Sequence, residues 1–168
     1  MDNETTCISG SWVLDLTRSD TLEGLLRCMQ APEHVIRTQI AGEQVVQSRN
    51  VIAVQADRVV IHKSTLVNNF TEIRPFGADL VTQTDFGERR SMISLVRPED
   101  KTGLVITTTS PTAHDELYMV EVRQLIDDGM AHTQEVNVQN LTTDECHTTR
   151  RTWRRVSTNE SDIRSIFD

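Results

Sequence analysis

Apolar and polar residues alternate with a period of two near the start of the chain, which is the pattern of a β-strand with one buried face. In this segment, residues 8–16, the residues Trp12, Leu14 and Leu16 fall on one face. From residue 45 to residue 156 the chain consists of short candidate strands separated by turn sequences such as Ala56-Asp57 and Phe86-Gly87. The predicted strands are 8–16, 50–55, 58–64, 69–75, 79–85, 90–96, 103–110, 116–126, 130–138 and 147–156.

One segment follows a helical period instead. Its apolar residues are spaced at i, i+3, i+4 and i+7, and they are Leu22, Leu25, Leu26 and Met29. Ser19 or Asp20 is a suitable N-cap before this stripe. Pro32 ends the first helix and begins a second one, for which Gly42 is a suitable end. The sequence therefore predicts two short helices over about residues 19–41, between the first two strands.

Strands joined in series by short turns form a meander whose two outer edges must be hidden. Closing the sheet into a barrel hides both edges. We therefore predict a mainly β fold, a ten-stranded antiparallel up-and-down barrel with a two-helix lid between the first two strands. Residues 1–156 form this single domain, and residues 157–168 are predicted to be a polar C-terminal tail.

Composition and charge exclude several functions for such a barrel. The chain has 168 residues, of which 21 are Thr and 17 are Val, and these β-branched residues suit strands. Its formal net charge of −8 argues against nucleic acid as a partner, because phosphates bind to basic surfaces. No run approaches the roughly 20 apolar residues that cross a bilayer. The acidic, polar first residues do not resemble a signal peptide.

Cysteine usage and the missing motifs add to this picture. Cys7, Cys28 and Cys146 are widely spaced and odd in number, which favours a reducing compartment over a disulfide framework. The five histidines lack the spacing of a metal site. No nucleophile elbow, phosphate-binding loop or HExxH motif occurs. We therefore expect a cytoplasmic protein that is not an enzyme and that has no cofactor or metal.

Short motifs along the chain resemble the intracellular lipid-binding proteins, the fatty-acid-binding and retinoid-binding family of the calycin superfamily. Gly10-Ser11-Trp12 is similar to the G-x-W of that family's first strand, and residues 19–26 stand at its first portal helix. Residues 63–73 are similar to its K-x-x-S-T-F-K-N-T-E-I run. Residues 122–127 resemble V-R-E-L-I-D, and residues 151–155 resemble the final R-x-Y-x-[RK].

The likeness spans residues 10–156 and implies binding and transport of a small hydrophobic or amphipathic ligand, such as a fatty acid. In this family two arginines and a tyrosine inside the barrel hold the carboxylate of the ligand. By motif, Arg123 and Arg151 take the arginine positions and Trp153 takes the tyrosine position. A guanidinium suits this task because it stays charged and makes paired hydrogen bonds to a carboxylate. Trp153 offers an N–H donor but no hydroxyl.

Other residues are expected to pack the lid or line the cavity. Leu22, Leu25 and Met29 are helix-packing residues that also become candidates for lining the portal. Glu121 lies two residues before Arg123 and therefore shares its face of the strand, where the family has a leucine. An internal carboxylate of this kind pairs with an arginine and competes with an anionic ligand.

The strand after Gly129 has two alternative registers. In one register Thr133 and Glu135 take inward positions at which the family has leucines. The segment from Gly129 to Arg151 is longer than in the family. The register of this strand can therefore also be shifted by one residue, and in that register both side chains point outward.

Two functions follow from these alternatives. The first is a carrier of a small lipid. The second is a structural or protein-interaction module whose polar interior is filled by its own side chains, with Arg123 in an internal ion pair with Glu121 or Glu135. An enzyme on this barrel has no supporting motif. The arginines between residues 150 and 155 alternate in face, and a transient contact of the outward ones with an anionic membrane or a protein is a further expectation.

Overall fold

The computed structural model describes residues 7–66 and 68–157. The strands are β1 (Gly10–Leu14), β2 (Arg49–Val54), β3 (Arg58–Ser64), β4 (Asn69–Pro75), β5 (Leu80–Thr84), β6 (Gly87–Leu95), β7 (Gly103–Pro111), β8 (Glu116–Ile126), β9 (Ala131–Asn140) and β10 (Cys146–Ser157). Two helices, α1 (Glu23–Cys28) and α2 (Glu33–Val45), lie between β1 and β2. The rest of the predicted tail, residues 158–168, lies outside the described residues.

The strands form one antiparallel sheet in the order β4-β3-β2-β1-β10-β9-β8-β7-β6-β5. Except for β4 and β5, strands that follow one another in sequence pair with each other, and β1 also pairs with β10. The two outer strands, β4 and β5, are not paired with each other in the part of the chain that is described. At the end of this seam Phe76 bridges Ile93, and the Gly77 N–H donates to the Ile93 carbonyl at 2.9 Å. The sheet is thus a nearly closed barrel with a two-helix lid, as predicted.

The main hydrophobic core fills one end of the barrel. Its completely buried aliphatic residues come from five parts of the chain, and they are Ile8, Ile52, Val59, Ile61, Ile93 and Leu104. Trp12 lies among them, and its indole N–H donates to the Ile8 carbonyl at 3.1 Å. The Trp12 ring also contacts the edge of the His132 ring, with 4.6 Å between the ring centroids. These contacts close the end of the barrel that lies away from the lid.

A smaller apolar cluster attaches the lid to the other end. Leu25 of α1 packs against inward-facing residues of β8 and β9, which are Leu117, Met119, Val136 and Val138. Leu22 and Met29 are partly buried against the same cluster. The apolar stripe found in the sequence is therefore the face by which α1 covers the barrel. Among the described residues, no helix is both long and apolar enough to cross a membrane.

The start of α1 differs from the prediction. Leu22 occupies the N-cap position, and neither Ser19 nor Asp20 caps the helix. The Ser19 hydroxyl accepts a hydrogen bond from the Thr152 N–H at 2.9 Å, and the Asp20 carboxylate accepts one from the Arg150 N–H at 2.8 Å. Both polar side chains are engaged by backbone N–H groups of β10, so they fasten the segment before the lid to the barrel wall.

The ends of two other elements were also predicted wrongly. Helix α2 continues through Gly42 to Val45, because Gly42 keeps a helical backbone and its carbonyl accepts from the Val46 N–H at 2.9 Å. A Cβ at Gly42 would lie 3.1 Å from a methyl group of Leu66, so this glycine permits a close approach rather than a stop. Strand β1 ends at Leu14, and the next residues form a 3₁₀ turn (Leu16–Arg18) in which Leu16 is exposed.

Candidate functional site

A cavity of about 220 Å³ lies beneath α2, inside the lidded end of the barrel. Arg123, Arg151 and Trp153 all line it, so the structure brings the three sequence-predicted residues together. They project from β8 and β10, and β9 runs between these strands. Gln134 of β9 pairs in register with Arg123 on one side and Arg151 on the other, which places its side chain between the two guanidinium groups.

Arg123 is almost completely buried and is held by two side chains. Its Nε donates to Oε1 of Glu121 at 2.7 Å. The Asn50 amide is oriented so that its oxygen accepts from Nη1 of Arg123 at 3.0 Å. The predicted internal pair between Arg123 and Glu121 is therefore present, and it fixes the direction of the guanidinium.

Trp153 takes part in the same network through Gln134. The indole N–H donates to the Gln134 side-chain oxygen at 2.9 Å, and the Gln134 amide N–H donates to Glu121 at 3.0 Å. The Arg123 guanidinium lies 5.9 Å from the centroid of the Trp153 ring. The only polar atom of the Trp153 side chain is thus already bonded within the barrel, so this residue offers a ligand mainly its aromatic surface.

The surroundings of Glu121 keep its carboxyl ionised. Burial raises the pKa, but the charges of Arg123 and Lys63 and the hydrogen bonds from Arg123 and Gln134 together lower it below its ordinary value of 4.5. At neutral pH Glu121 is consequently an anion inside the barrel. It neutralises Arg123 and leaves this part of the cavity with little net charge.

Arg151 is neutralised by a residue of the lid. Both of its terminal nitrogens donate to the Glu43 carboxylate, one of them at 3.2 Å, and Nη1 also donates to the Asp20 carbonyl at 3.1 Å. Only 4% of the Arg151 side chain and 13% of the Glu43 side chain are exposed. Glu43 was not predicted as a site residue, because the second helix was expected to end before it and the pair joins residues that are 108 apart in the chain.

The expected portal residues have separate roles. Leu22 lines the cavity, whereas Leu25 and Met29 belong to the apolar cluster that holds α1 against the barrel. The polar lining includes Ser48, Asn50 and Lys63. The cavity is therefore more polar than the family resemblance implies, and it is smaller than the roughly 300–1,000 Å³ typical of small-molecule sites.

Thr133 and Glu135 do not enter the cavity, and the inward register proposed for them is wrong. The turn after β8 places Ile126 opposite Ala131, so Arg123 faces Gln134 and Glu121 faces Val136. Glu135 therefore points outward, where its carboxylate accepts from Nε of Arg150 at 3.0 Å. The longer segment after Gly129 shifts the register by one residue, which is the alternative that turns both side chains away from the interior.

Comparison with known proteins supports the fold. No protein-family model matches the sequence, and no curated protein matches it. Among solved structures, a REP1-NXSQ fatty acid transporter is 14% identical, with a TM-score of 0.66 over 89% of this chain and 96% of that one. A Schistosoma mansoni fatty acid binding protein in complex with arachidonic acid is 16% identical, with a TM-score of 0.60 over 89% and 96% of the two chains. Human cRBP IV is 14% identical, with a TM-score of 0.59 over 89% and 98%.

Proposed function

We propose that this chain, which has the fold of the fatty-acid-binding proteins, is a non-enzymatic carrier in the cytoplasm. Its proposed ligand is a small hydrophobic or amphipathic molecule, such as a fatty acid. The observation that carries the proposal is the common cavity of Arg123, Arg151 and Trp153 beneath a helical lid. An apolar chain gains about 0.8 kcal/mol for each CH₂ group that leaves water. A charged head group needs a cation in the same space, and the arginines supply it.

Binding of an anionic ligand would proceed by exchange of carboxylates on Arg151. The Glu43 carboxylate binds this guanidinium and holds α2 against β10. A ligand carboxylate that replaces Glu43 keeps the buried arginine paired, so the electrostatic cost of the exchange is small. The exchange releases Glu43 to water and allows α2 to move, which increases the space in the cavity.

The second candidate is a barrel that acts as a structural or protein-interaction module without a ligand. It is favoured by the two internal carboxylates, Glu121 and Glu43, which already satisfy both arginines. The two functions differ in the role of the ion pairs. In a carrier they are exchanged during binding, whereas in a module they are permanent parts of the core.

Displacement of a fluorescent fatty-acid probe separates these functions. We expect the wild-type protein to bind the probe and Arg151→Gln to bind it at least about tenfold more weakly, because loss of a buried charge pair costs about 2–5 kcal/mol. Arg150→Gln is the matched control, since Arg150 is the next residue on the same strand and points outward. No binding by the wild type, or equal binding by wild type and Arg151→Gln, would contradict the carboxylate carrier.

A transient contact with an anionic membrane is a separate part of the proposal. Arg150 and Arg154 are the outward-facing arginines of β10 and are exposed. Sedimentation with vesicles of anionic and of neutral lipids measures this contact directly, and binding that does not depend on vesicle charge would contradict it.

A further inference from the structure

A second, smaller cavity lies in the barrel interior next to the unpaired seam between β4 and β5. Its volume is about 90 Å³, and its lining shares only Lys63 with that of the cavity under the lid. Glu121 lies between the two spaces, because it bonds to Arg123 on one side and lines the small cavity on the other. The small cavity therefore has surroundings of its own.

Arg74 of β4 lines this cavity and differs from the other buried arginines. Arg123 and Arg151 each have a carboxylate partner, and Arg155 donates to the carbonyls of Cys7, Ser9 and Gly129 at 2.6–2.8 Å. Arg74 is only 6% exposed, yet its one side-chain hydrogen bond within the described residues goes from Nη2 to the Ser91 hydroxyl at 2.8 Å. A guanidinium has five N–H donors, so most of the N–H groups of Arg74 form no hydrogen bond to another described residue.

The carboxylates of the lining form no direct ion pair with Arg74. Glu72 lies 3.7 Å from the Lys63 ammonium, and Glu121 is paired with Arg123. Arg89 of β6 also lines the cavity, and neither Arg74 nor Arg89 has a carboxylate within 4.0 Å among residues 7–66 and 68–157. Buried Arg74 and exposed Arg89 thus border one small space, and neither has an ion-pair partner among the described residues. Burial of an unpaired charge such as that of Arg74 is costly, which favours an anion in that space.

We infer that the cavity beside Arg74 and Arg89 is a binding site for one small oxyanion, of the size of a carboxylate or phosphate group. A water molecule takes up about 30 Å³ in the liquid, so a 90 Å³ cavity has room for one anionic group, and any chain attached to that group must lie outside the cavity. The Thr108 hydroxyl borders the same space as an additional donor. Burial lowers the pKa of Arg74, and the charge of Arg89 lowers it further, while Glu72 and Glu121 act in the opposite direction. A bound anion relieves both unfavourable effects.

Thermal unfolding at constant pH and ionic strength tests this site with three probes, which are inorganic phosphate, sodium octanoate and octanol. Wild type is compared with Arg74→Met, which keeps a long apolar side chain, and with Arg90→Gln. Arg90 is an exposed neighbour of Arg89 on β6 and serves as the matched control. The quantity compared is the shift in melting temperature that each probe causes, so a change in stability of the unliganded variant does not affect the result.

We expect phosphate or octanoate to stabilise the wild type and Arg90→Gln, and Arg74→Met to bind that anion at least about tenfold more weakly. An effect of phosphate alone identifies a free oxyanion as the occupant, whereas an effect of octanoate alone identifies a lipid carboxylate. No stabilisation of the wild type by either anion would overturn the inference, and so would an equal shift in Arg74→Met. Equal shifts by octanoate and octanol in all three proteins would overturn the site at Arg74 and leave the lipid carrier standing.

Discussion

Glu43 of helix α2 and Arg151 of strand β10 form a two-pronged ion pair beneath the lid, although 108 residues separate them in the chain. The pair joins a helix of the lid to the strand wall that lines the cavity. In the proposed carrier, a ligand carboxylate would replace the Glu43 carboxylate on this arginine. The lid is therefore held closed by the same contact through which an anionic ligand would bind.

Substitution Glu43→Gln tests this competition. The amide cannot neutralise Arg151, so the free energy of unfolding should fall by about 3–5 kcal/mol, the cost of leaving a buried charge unpaired. An added fatty acid should bind more tightly than to wild type and restore most of the lost stability, because its carboxylate then pairs with Arg151. Melting temperatures measured with and without fatty acid check both parts.

The control for this variant is Glu33→Gln on the same helix. Glu33 is half-exposed and pairs with Arg27 and Arg37 at the surface, where water and salt screen ion pairs and leave them little net effect on stability. Stability and fatty-acid binding of Glu33→Gln should stay close to those of wild type. A Glu43→Gln protein that loses stability and gains no affinity would show that the pair is purely structural.

Removal of the second internal carboxylate should also favour an anionic ligand. Glu121→Gln keeps a hydrogen-bond acceptor for Arg123 but removes the competing negative charge. We expect its affinity for a fluorescent fatty acid to rise by about tenfold, or about 1.4 kcal/mol. Arg123→Ala should have the opposite effect, since it removes the cation and leaves Glu121 buried without its main partner. Unchanged affinity in both variants would place the ligand away from Arg123.

Much of this barrel could be predicted from the sequence. Strands β3, β4 and β8 begin and end at the predicted residues, because polar or turn residues flank each of them. The motif resemblance also placed Arg123, Arg151 and Trp153 on inward-facing positions of the same wall. Local pattern was sufficient for these elements because each pairs with at least one strand that is its neighbour in sequence.

The parts that could not be predicted depend on contacts between distant segments. The end of α2 was missed because Gly42 packs against Leu66, which no local pattern indicates. The register of β9 depends on the turn at Asp127 and Asp128, whose φ angles are 51° and 52°. Such left-handed backbone conformations are uncommon for residues other than glycine, so the residue types at these two positions did not predict them. Neither the composition of the chain nor the spacing of its residues predicted that Glu43 pairs with Arg151.

His132 should make the fold sensitive to mild acid. The imidazole is completely buried between Trp12 and Trp153, and its Nε2 has no hydrogen-bond partner in the described part of the chain. Burial lowers its pKa well below 6.5, and the charges of Arg123 and Arg155 lower it further. Below about pH 6.5 the His132 imidazole therefore binds a proton in the unfolded chain but not in the folded protein. This difference lowers the free energy of unfolding by about 1.4 kcal/mol for each pH unit.

The comparison of His132→Phe with wild type isolates this effect. Phenylalanine fills the same aromatic space and does not titrate, so its stability should fall less steeply between pH 6.5 and pH 5. His34→Gln, at an exposed position of α2, should keep the wild-type slope. The lowered pKa of the Glu121 carboxyl also makes stability depend on pH. This contribution is fully present above the ordinary pKa of 4.5 and is lost only at lower pH, so it does not change between pH 6.5 and pH 5. Equal slopes for wild type and His132→Phe would refute the role of His132.

Gly24 sets how closely α1 approaches β10. A Cβ at this position would lie 2.3 Å from Cε1 of His147, whose ring nitrogen Nε2 lies 3.1 Å from the Thr149 hydroxyl. Alanine gains up to about 1 kcal/mol of helix propensity over glycine, but overpacking costs about 1–3 kcal/mol. We therefore expect Gly24→Ala to lower the melting temperature and to speed release of a bound probe. The added change His147→Ala should reverse both effects, and a failure to do so would locate the strain elsewhere.

Native mass spectrometry of the purified protein, before and after delipidation, tests the carrier function most directly. We predict that the protein purified under mild conditions carries one small molecule per chain, that delipidation removes this mass, and that an added fatty acid restores one equivalent. The same uptake should be at least about tenfold weaker in Arg151→Gln. A single mass that is unchanged by delipidation and by an excess of fatty acid would contradict the carrier and favour a barrel filled by its own side chains.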